Sequence, residues 1–244
     1  VSFEQEVQQR IAAIGQDDAL KAKADAFMEA SLAPKYSYNF SWLGRPIIQY
    51  PQDMVAMQEI IWQVQPDLII ETGIAHGGSL IFSASMLELI ASCTGQQGEV
   101  LGLDIDIRSH NRTAIEAHPL FKRISLIEGS SVADDIIAQV YAKATGKQRV
   151  LICLDSNHTH DHVLAELQAY APLTSVGSYC VVMDTVVEDV PDELSADRPW
   201  SKGNNPKTAV WEYLKTHDEF EIDRSIQNKL LITVAPDGYL KRVR

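Results

Sequence analysis

The sequence predicts an α/β protein, a doubly wound and mostly parallel seven-stranded sheet covered by helices on both faces, with a helical appendage at the N-terminus. Three observations predict it. From about residue 51 onward, short apolar runs of strand length alternate with stretches of helical period. The apolar runs are continuous rather than alternating, as expected of strands buried on both faces. Directly after those runs stand carboxylates, glycines and serines, where an open parallel sheet collects its ligands.

The elements follow in order. Residues 3–28 are polar and alanine-rich, with Val7, Ile11 and Ile14 at helical spacing, so one or two amphipathic helices are expected. The turn-rich aromatic segment Lys35–Gly44 then either packs this appendage onto the core, covers a site, or meets a partner subunit. Pro51–Gln63 reads as a helix, with Asp53 in its first turn and Met54, Met57, Ile60 and Ile61 as its apolar stripe. Strands are expected at Leu68–Glu71, Val100–Leu103, Ile124–Ile127, Val150–Leu154 and Tyr179–Met183. The helices between them are Ser79–Ala91, Asn111–His118, Asp134–Ala144 and about His162–Tyr170. A loop rich in Asp, Pro, Gly and Asn precedes a helix at Thr208–Lys215, and Phe220–Ile222 and Leu230–Val234 are expected as closing strands. The expected division is an appendage at 1–50 and a catalytic domain at 51–244.

Composition narrows the class. The chain has 244 residues, 45% hydrophobic and 22% charged, ordinary for a globular protein. A formal charge of −12 argues against nucleic acid or an anionic membrane as the main partner. Cys93, Cys153 and Cys180 are an odd number, two of them in apolar runs, and read as thiols in a reducing compartment. No apolar stretch approaches the ~18 residues of a membrane span, and no signal-peptide pattern opens the chain, so a cytoplasmic location is expected.

The first apolar run ends in Glu71-Thr72-Gly73-Ile74-Ala75-His76-Gly77-Gly78-Ser79. Its glycines let the backbone approach a ligand, and the helix that follows offers free N–H groups. The spacing fits neither the dinucleotide fingerprint nor a phosphate loop, and the acidic residue suits a ligand bearing an ammonium group. Glu71 would face the amino group of a methionine moiety, and backbone N–H groups its carboxylate. His76 reads as a hydrogen-bonding neighbour. The second run ends in Asp104-Ile105-Asp106, where Asp104, with Asp106 as fallback, can accept ribose hydroxyls. The third ends in Glu128-Gly129-Ser130-Ser131, small enough for an adenine ring to lie on the backbone. The fourth and fifth end in Asp155-Ser156-Asn157-His158 and Met183-Asp184, so two neighbouring strand ends each offer a carboxylate to a hard divalent ion such as Mg²⁺. His158 is placed as general base. A rival reading sets His158 and His162 at i, i+4, with Asp161, as an iron or zinc site.

Together these stretches, with Asp104–Arg112, Tyr170–Leu173 and Gly238–Arg242, resemble the family named after cephalosporin hydroxylase. The resemblance covers the chain from about Trp42 onward. It implies the Rossmann-like fold of class I S-adenosylmethionine methyltransferases, and members that methylate rather than oxygenate. A more distant similarity is to the Mg²⁺-dependent sugar O-methyltransferases of macrolide biosynthesis. There the first metal carboxylate follows strand four and a histidine three residues later acts as base, which matches Asp155 and His158.

The resemblance implies an O-methyltransferase for a hydroxylated sugar or secondary metabolite. Its cofactor would lie on Glu71, Gly73, His76, Gly77, Ser79, Asp104, Asp106, Gly129, Ser130 and Asp155, and its Mg²⁺ on Asp155 and Asp184. One departure stands out. Relatives carry two acidic residues after strand five, and here the first is Met183. A thioether is a poor Mg²⁺ ligand. A water, Glu188 or Asp189 would have to substitute, or the metal is lost. The alternatives are a non-catalytic partner that keeps the fold, and an iron-dependent hydroxylase. Residues 188–206, with Arg198, Trp200 and Lys202, are the expected lid or acceptor-recognition loop. Self-association through the aromatic N-terminal segment is also expected.

Overall fold

The computed structural model describes all residues, Val1–Arg244. Five parallel strands make up most of a seven-stranded sheet: β3 (Leu68–Thr72), β4 (Glu99–Asp104), β5 (Ile124–Glu128), β6 (Val150–Leu154) and β7 (Tyr179–Val182). Two further strands, β8 (Phe220–Ile222) and β9 (Tyr239–Arg242), complete it in the order β5-β4-β3-β6-β7-β9-β8, with β9 antiparallel to both neighbours. Every residue of β3 and β6 is buried. The pleat sends Ile69, Leu151 and Cys153 into one apolar cluster and Leu68, Ile70, Val150, Ile152 and Leu154 into another. The core is thus two layers, one on each face, as the uninterrupted apolar runs predict.

Chain order explains where a ligand can enter. From β3 the chain moves outward to β4 and β5, then returns to the other side of β3 for β6 and β7. The loops leaving β3 and β6 therefore diverge and open a crevice at their carboxyl ends. Two glycines make that crevice possible. A Cβ on Gly73 (φ +81°) would lie 2.0 Å from the Asp155 carbonyl oxygen, and one on Gly78 2.1 Å from the Pro46 carbonyl oxygen. Both positions require the missing side chain.

The helices α3 (Pro51–Val64), α4 (Gly78–Thr94), α5 (Ser109–Glu116), α6 (Asp134–Ala144), α7 (His160–Tyr170), α8 (Pro206–Tyr213) and α9 (Arg224–Leu230) flank the sheet. The N-terminal helices α1 (Phe3–Gly15) and α2 (Asp18–Leu32) precede a hairpin, β1 (Phe40–Trp42) and β2 (Arg45–Ile47), which aromatic spacing alone does not reveal. Tyr36, Phe40 and Trp42 pack against the core.

The expected strand at Leu230–Val234 does not form. Leu230 ends α9, and Leu231 turns the chain in the left-handed region at φ 60°. Asp53 at the start of α3 then holds the segment, accepting hydrogen bonds from Thr233 Oγ1, from the Val234 amide at 3.0 Å and from Tyr239 Oη at 2.8 Å. The sheet position is filled by β9. No helix is long and apolar enough to cross a membrane.

Candidate active site

The carboxyl ends of the strands open on a cavity of about 520 Å³, within the range of roughly 300–1,000 Å³ usual for small-molecule sites. Three groups of residues line it. The strand-end loops give Gly73, His76, Ser79, Asp155, His158 and Asp184; the N-terminal segment gives Lys35, Tyr38, Gln49 and Tyr50; the loop after β7 gives Leu194, Arg198 and Trp200. The expected lid residue Lys202 does not line it; its amide is hydrogen-bonded to Asp192.

The loop 73–77 is held from several directions. Asp104 Oδ2 accepts from the amides of Ile74 (3.0 Å) and Ala75 (3.4 Å), while its Oδ1 accepts from the Asp106 amide at 3.2 Å. From β2, Arg45 donates to the His76 carbonyl at 2.6 Å and to Asn111 Oδ1 at 3.2 Å, and Asn111 donates to the Ala75 carbonyl at 3.1 Å. His76 Nδ1 lies 3.4 Å from the same Asn111 oxygen. Asp106 is exposed beyond β4, and Gly129 and Ser130 stand half-buried beyond β5, outside the residues that line the main cavity.

Glu71 is buried at the end of β3 and accepts a hydrogen bond from Ser79 Oγ. Burial pushes its carboxyl up to about 7, and the Ser79 bond draws it partly back. Its one side-chain partner is that hydroxyl, and no Lys or Arg pairs with it.

Asp155, His158 and Asp184 form one cluster at the ends of β6 and β7. One ligand atom from each lies within 4.8 Å of the other two, and His158 Nε2 is 3.3 Å from Asp184 Oδ2. Desolvation, followed by the adjacent Asp184 carboxylate, raises Asp155 well above the usual carboxylate range. Asp184 adopts a left-handed backbone (φ 55°), uncommon for a non-glycine residue and a frequent mark of functional turns. The Trp200 indole meets the His158 ring edge-on at 4.6 Å. Gln49 was not foreseen, because no motif marks it. Its Nε2 lies 3.4 Å from Asp155 Oδ2, while its own Oε1 is buried without a partner.

Met183 is buried in the core and does not line the cavity. The two candidate substitutes for its missing carboxylate are engaged elsewhere. Glu188 accepts from Asn205 Nδ2 and the Gly203 amide, and Asp189 pairs with Lys207. The iron or zinc pairing of His158 with His162 is not what the structure forms. Helix α7 begins only at His160, so the two imidazoles do not share a helical face. His162 Nε2 instead sits 3.1 Å from both Ser131 Oγ and Ser156 Oγ, and His160 bonds Thr208.

The strand order, the antiparallel β9 and the acidic glycine loop beyond β3 define a protein of the class I S-adenosylmethionine methyltransferase fold. Residues 34–243 match the profile of the family Rhamnosyl O-methyltransferase/CmcI, and the chain belongs to that family. It is 33% identical over 196 residues to a rhamnosyl O-methyltransferase of Mycobacterium tuberculosis, covering 78% of this chain and 73% of that protein. With a rhamnosyl O-methyltransferase of Mycobacterium leprae it shares 30% over 204 residues, covering 83% and 82%. A CmcI structure with Mg and SAM superposes with a TM-score of 0.56 at 18% identity, over 85% of this chain and 78% of that one. At that identity the likeness establishes the fold.

Proposed function

We propose that the chain transfers the methyl group of S-adenosylmethionine to a hydroxyl of a sugar or other small metabolite, with a divalent cation such as Mg²⁺ held by Asp155 and Asp184. The observation that carries the proposal is the Asp155–His158–Asp184 cluster, which lines the same cavity as the loop from Gly73 to Ser79.

The residues fit both groups. Two neighbouring carboxyls with no Lys or Arg beside them, one of them raised by burial and by the other, would be relieved by a cation, and oxygen donors suit a hard one. Glu71, raised to about 7 with no cation beside it, suits the cofactor's ammonium group. When bound, S-adenosylmethionine supplies an electrophilic methyl group and Mg²⁺ an acidified acceptor hydroxyl.

The remaining work falls to side chains. Glu71 and the amides at the start of α4 grip the amino-acid end of the cofactor. Asp104, seconded by Asp106, would accept from the ribose while fixing the amides of Ile74 and Ala75, and Gly129 and Ser130 would border the adenine. His158 takes the proton from the acceptor hydroxyl, and Asp184, 3.3 Å from its Nε2, stabilises the resulting imidazolium. Methyl transfer requires acceptor oxygen and methyl carbon in line, so this holding supplies much of the rate. Relatives named for rhamnosyl methylation favour a sugar hydroxyl as acceptor.

Calorimetry with S-adenosylmethionine, followed by a Mg²⁺ titration and an assay for S-adenosylhomocysteine release on hydroxylated acceptors, tests the proposal. Cofactor binding and metal-dependent release are expected. Cofactor binding with no response to divalent ions would sink the metal-assisted form, and no release on any acceptor would favour a non-catalytic partner.

A further inference from the structure

The cavity's positive charge is sparse and unspent. The chain carries 33 acidic against 21 basic residues, yet the cavity wall includes two strong cations, Lys35 and Arg198. They arrive from separate segments, Lys35 from the connection between α2 and β1, Arg198 from the loop after β7. Each stands over an aromatic ring that also lines the cavity. Lys35 Nζ is 5.6 Å from the Tyr38 centroid, and Arg198 Cζ is 5.5 Å from that of Trp200. Neither has a firm partner. Lys35 enters no ion pair, and Arg198 meets only its neighbour Asp197 at 3.7 Å, with 48% and 85% of the two side chains exposed. Such a contact contributes almost nothing in water. Lys207 and Arg45, by contrast, are committed to Asp189 and to the His76 carbonyl. Lys35 also holds a left-handed backbone (φ 54°), a rare conformation for a lysine that sets where its side chain departs.

We propose that the acceptor carries an anionic group, a carboxylate or a phosphate, held by Lys35 and Arg198 while Tyr38 and Trp200 take the adjoining ring face. The proposal rests on the methyl-transfer reading for the reacting hydroxyl, but anion binding can be read without turnover. An acidic chain repels anions in general, so attraction at this cavity must come from cations on its wall. The contacts run in a chain from Asp184 to His158, from His158 to Trp200 and from Trp200 to Arg198. Trp200 thus touches both His158 and Arg198, so the guanidinium and the imidazole flank one indole on the same cavity wall.

The test is calorimetry on the full chain preloaded with S-adenosylhomocysteine, without divalent ions so that only side chains bind the anion. The probes are glucuronate, glucose 1-phosphate and glucose. Both anions are expected to bind about tenfold or more tighter than glucose, with an affinity that falls as salt rises. The Lys35→Met/Arg198→Met double variant should lose that preference while keeping its S-adenosylhomocysteine affinity within about twofold. Whichever of glucuronate and glucose 1-phosphate binds tighter identifies the anion as carboxylate or phosphate. Equal or undetectable binding of all three probes, or a preference that survives in the double variant, overturns the proposal. If the wild type fails to bind S-adenosylhomocysteine, the methyl-transfer reading fails instead, and the same titrations on the unloaded protein still decide the anion site.

Discussion

His158 Nε2 lies 3.3 Å from Asp184 Oδ2, joining the loop beyond β6 to the turn beyond β7 across the mouth of the crevice. If His158 accepts the acceptor's proton, removing the imidazole removes the base and leaves the cofactor's partners untouched. His158→Ala is expected to lower kcat by about 10²–10⁴-fold, the usual share of general-base catalysis, with S-adenosylmethionine affinity unchanged. Release of S-adenosylhomocysteine and calorimetry measure the two quantities separately. A variant that retains most of its rate would remove His158 from the mechanism.

Asp155 costs the apo protein stability at neutral pH. Its folded-state pKa is raised by desolvation and by Asp184, above the unfolded value near 3.8. Its contribution to stability is therefore full below that value and is lost as pH climbs through the raised one. Asp155→Asn should raise the apo protein's Tm at neutral pH and flatten its pH dependence, while abolishing the Tm gain expected of Mg²⁺ in the wild type. Thermal melts with and without Mg²⁺ decide it; an unaltered Mg²⁺ response in the variant would place the ion elsewhere.

The sheet was legible because strand burial writes itself as uninterrupted apolar runs. The residues after Ile70, Leu103, Leu154 and Val182 were legible because parallel topology sends every strand end to the same side. Leu230–Val234 misled for a physical reason. Its β-branched residues read as a strand, but the buried Asp53 carboxylate, 180 residues away, claims Thr233 and the Val234 amide. Local propensity gives way to a satisfied buried charge. Gln49 was invisible, because it takes its meaning from the hairpin before it, which folds back over the crevice.

Glu71 links cofactor binding to pH. Its carboxyl is raised from 4.5 to about 7, so the apo protein keeps a proton there that the unfolded chain has already lost. Stability from this group is complete below pH about 4.5 and fades toward 7, an effect of about 3 kcal/mol. An ammonium ligand needs the ionised form, so S-adenosylmethionine affinity should fall as pH drops below about 7, with proton uptake into buffer visible in the binding enthalpy. Glu71→Gln should weaken binding and remove the pH dependence together. A wild-type affinity that is flat from pH 5 to 8, to about a factor of two, would detach Glu71 from the ligand.

Asp53 is the structural counterpart, a buried carboxylate with its bonds satisfied. Burial lifts its pKa to about 6, against the pull of Thr233, Val234 and Tyr239. Asp53→Ala strands all three donors in the core and should cost about 3 kcal/mol or more, lowering Tm by roughly 6–12 °C. The displaced segment includes Val234, which lines the cavity, so acceptor KM should rise more than cofactor affinity falls. Differential scanning calorimetry and steady-state kinetics read the two effects.

Met183 decides whether the altered acidic pair has cost the protein its metal. The residue is 3% exposed, belongs to the same core cluster as Val181, Val186 and Tyr239, and is not among the residues that line the cavity. Met183→Leu keeps volume and apolarity and should cost less than about 1.5 kcal/mol. The Mg²⁺ dependence of melting and turnover should be unchanged in this variant if, as proposed, the ligands are Asp155 and Asp184. If the leucine variant lost its Mg²⁺ response while keeping its Tm, the thioether would have to face the ion and the geometry at the end of β7 would need revision. An unchanged response would show that the cluster of Asp155, His158 and Asp184 holds the cation without a second acidic residue beside Asp184.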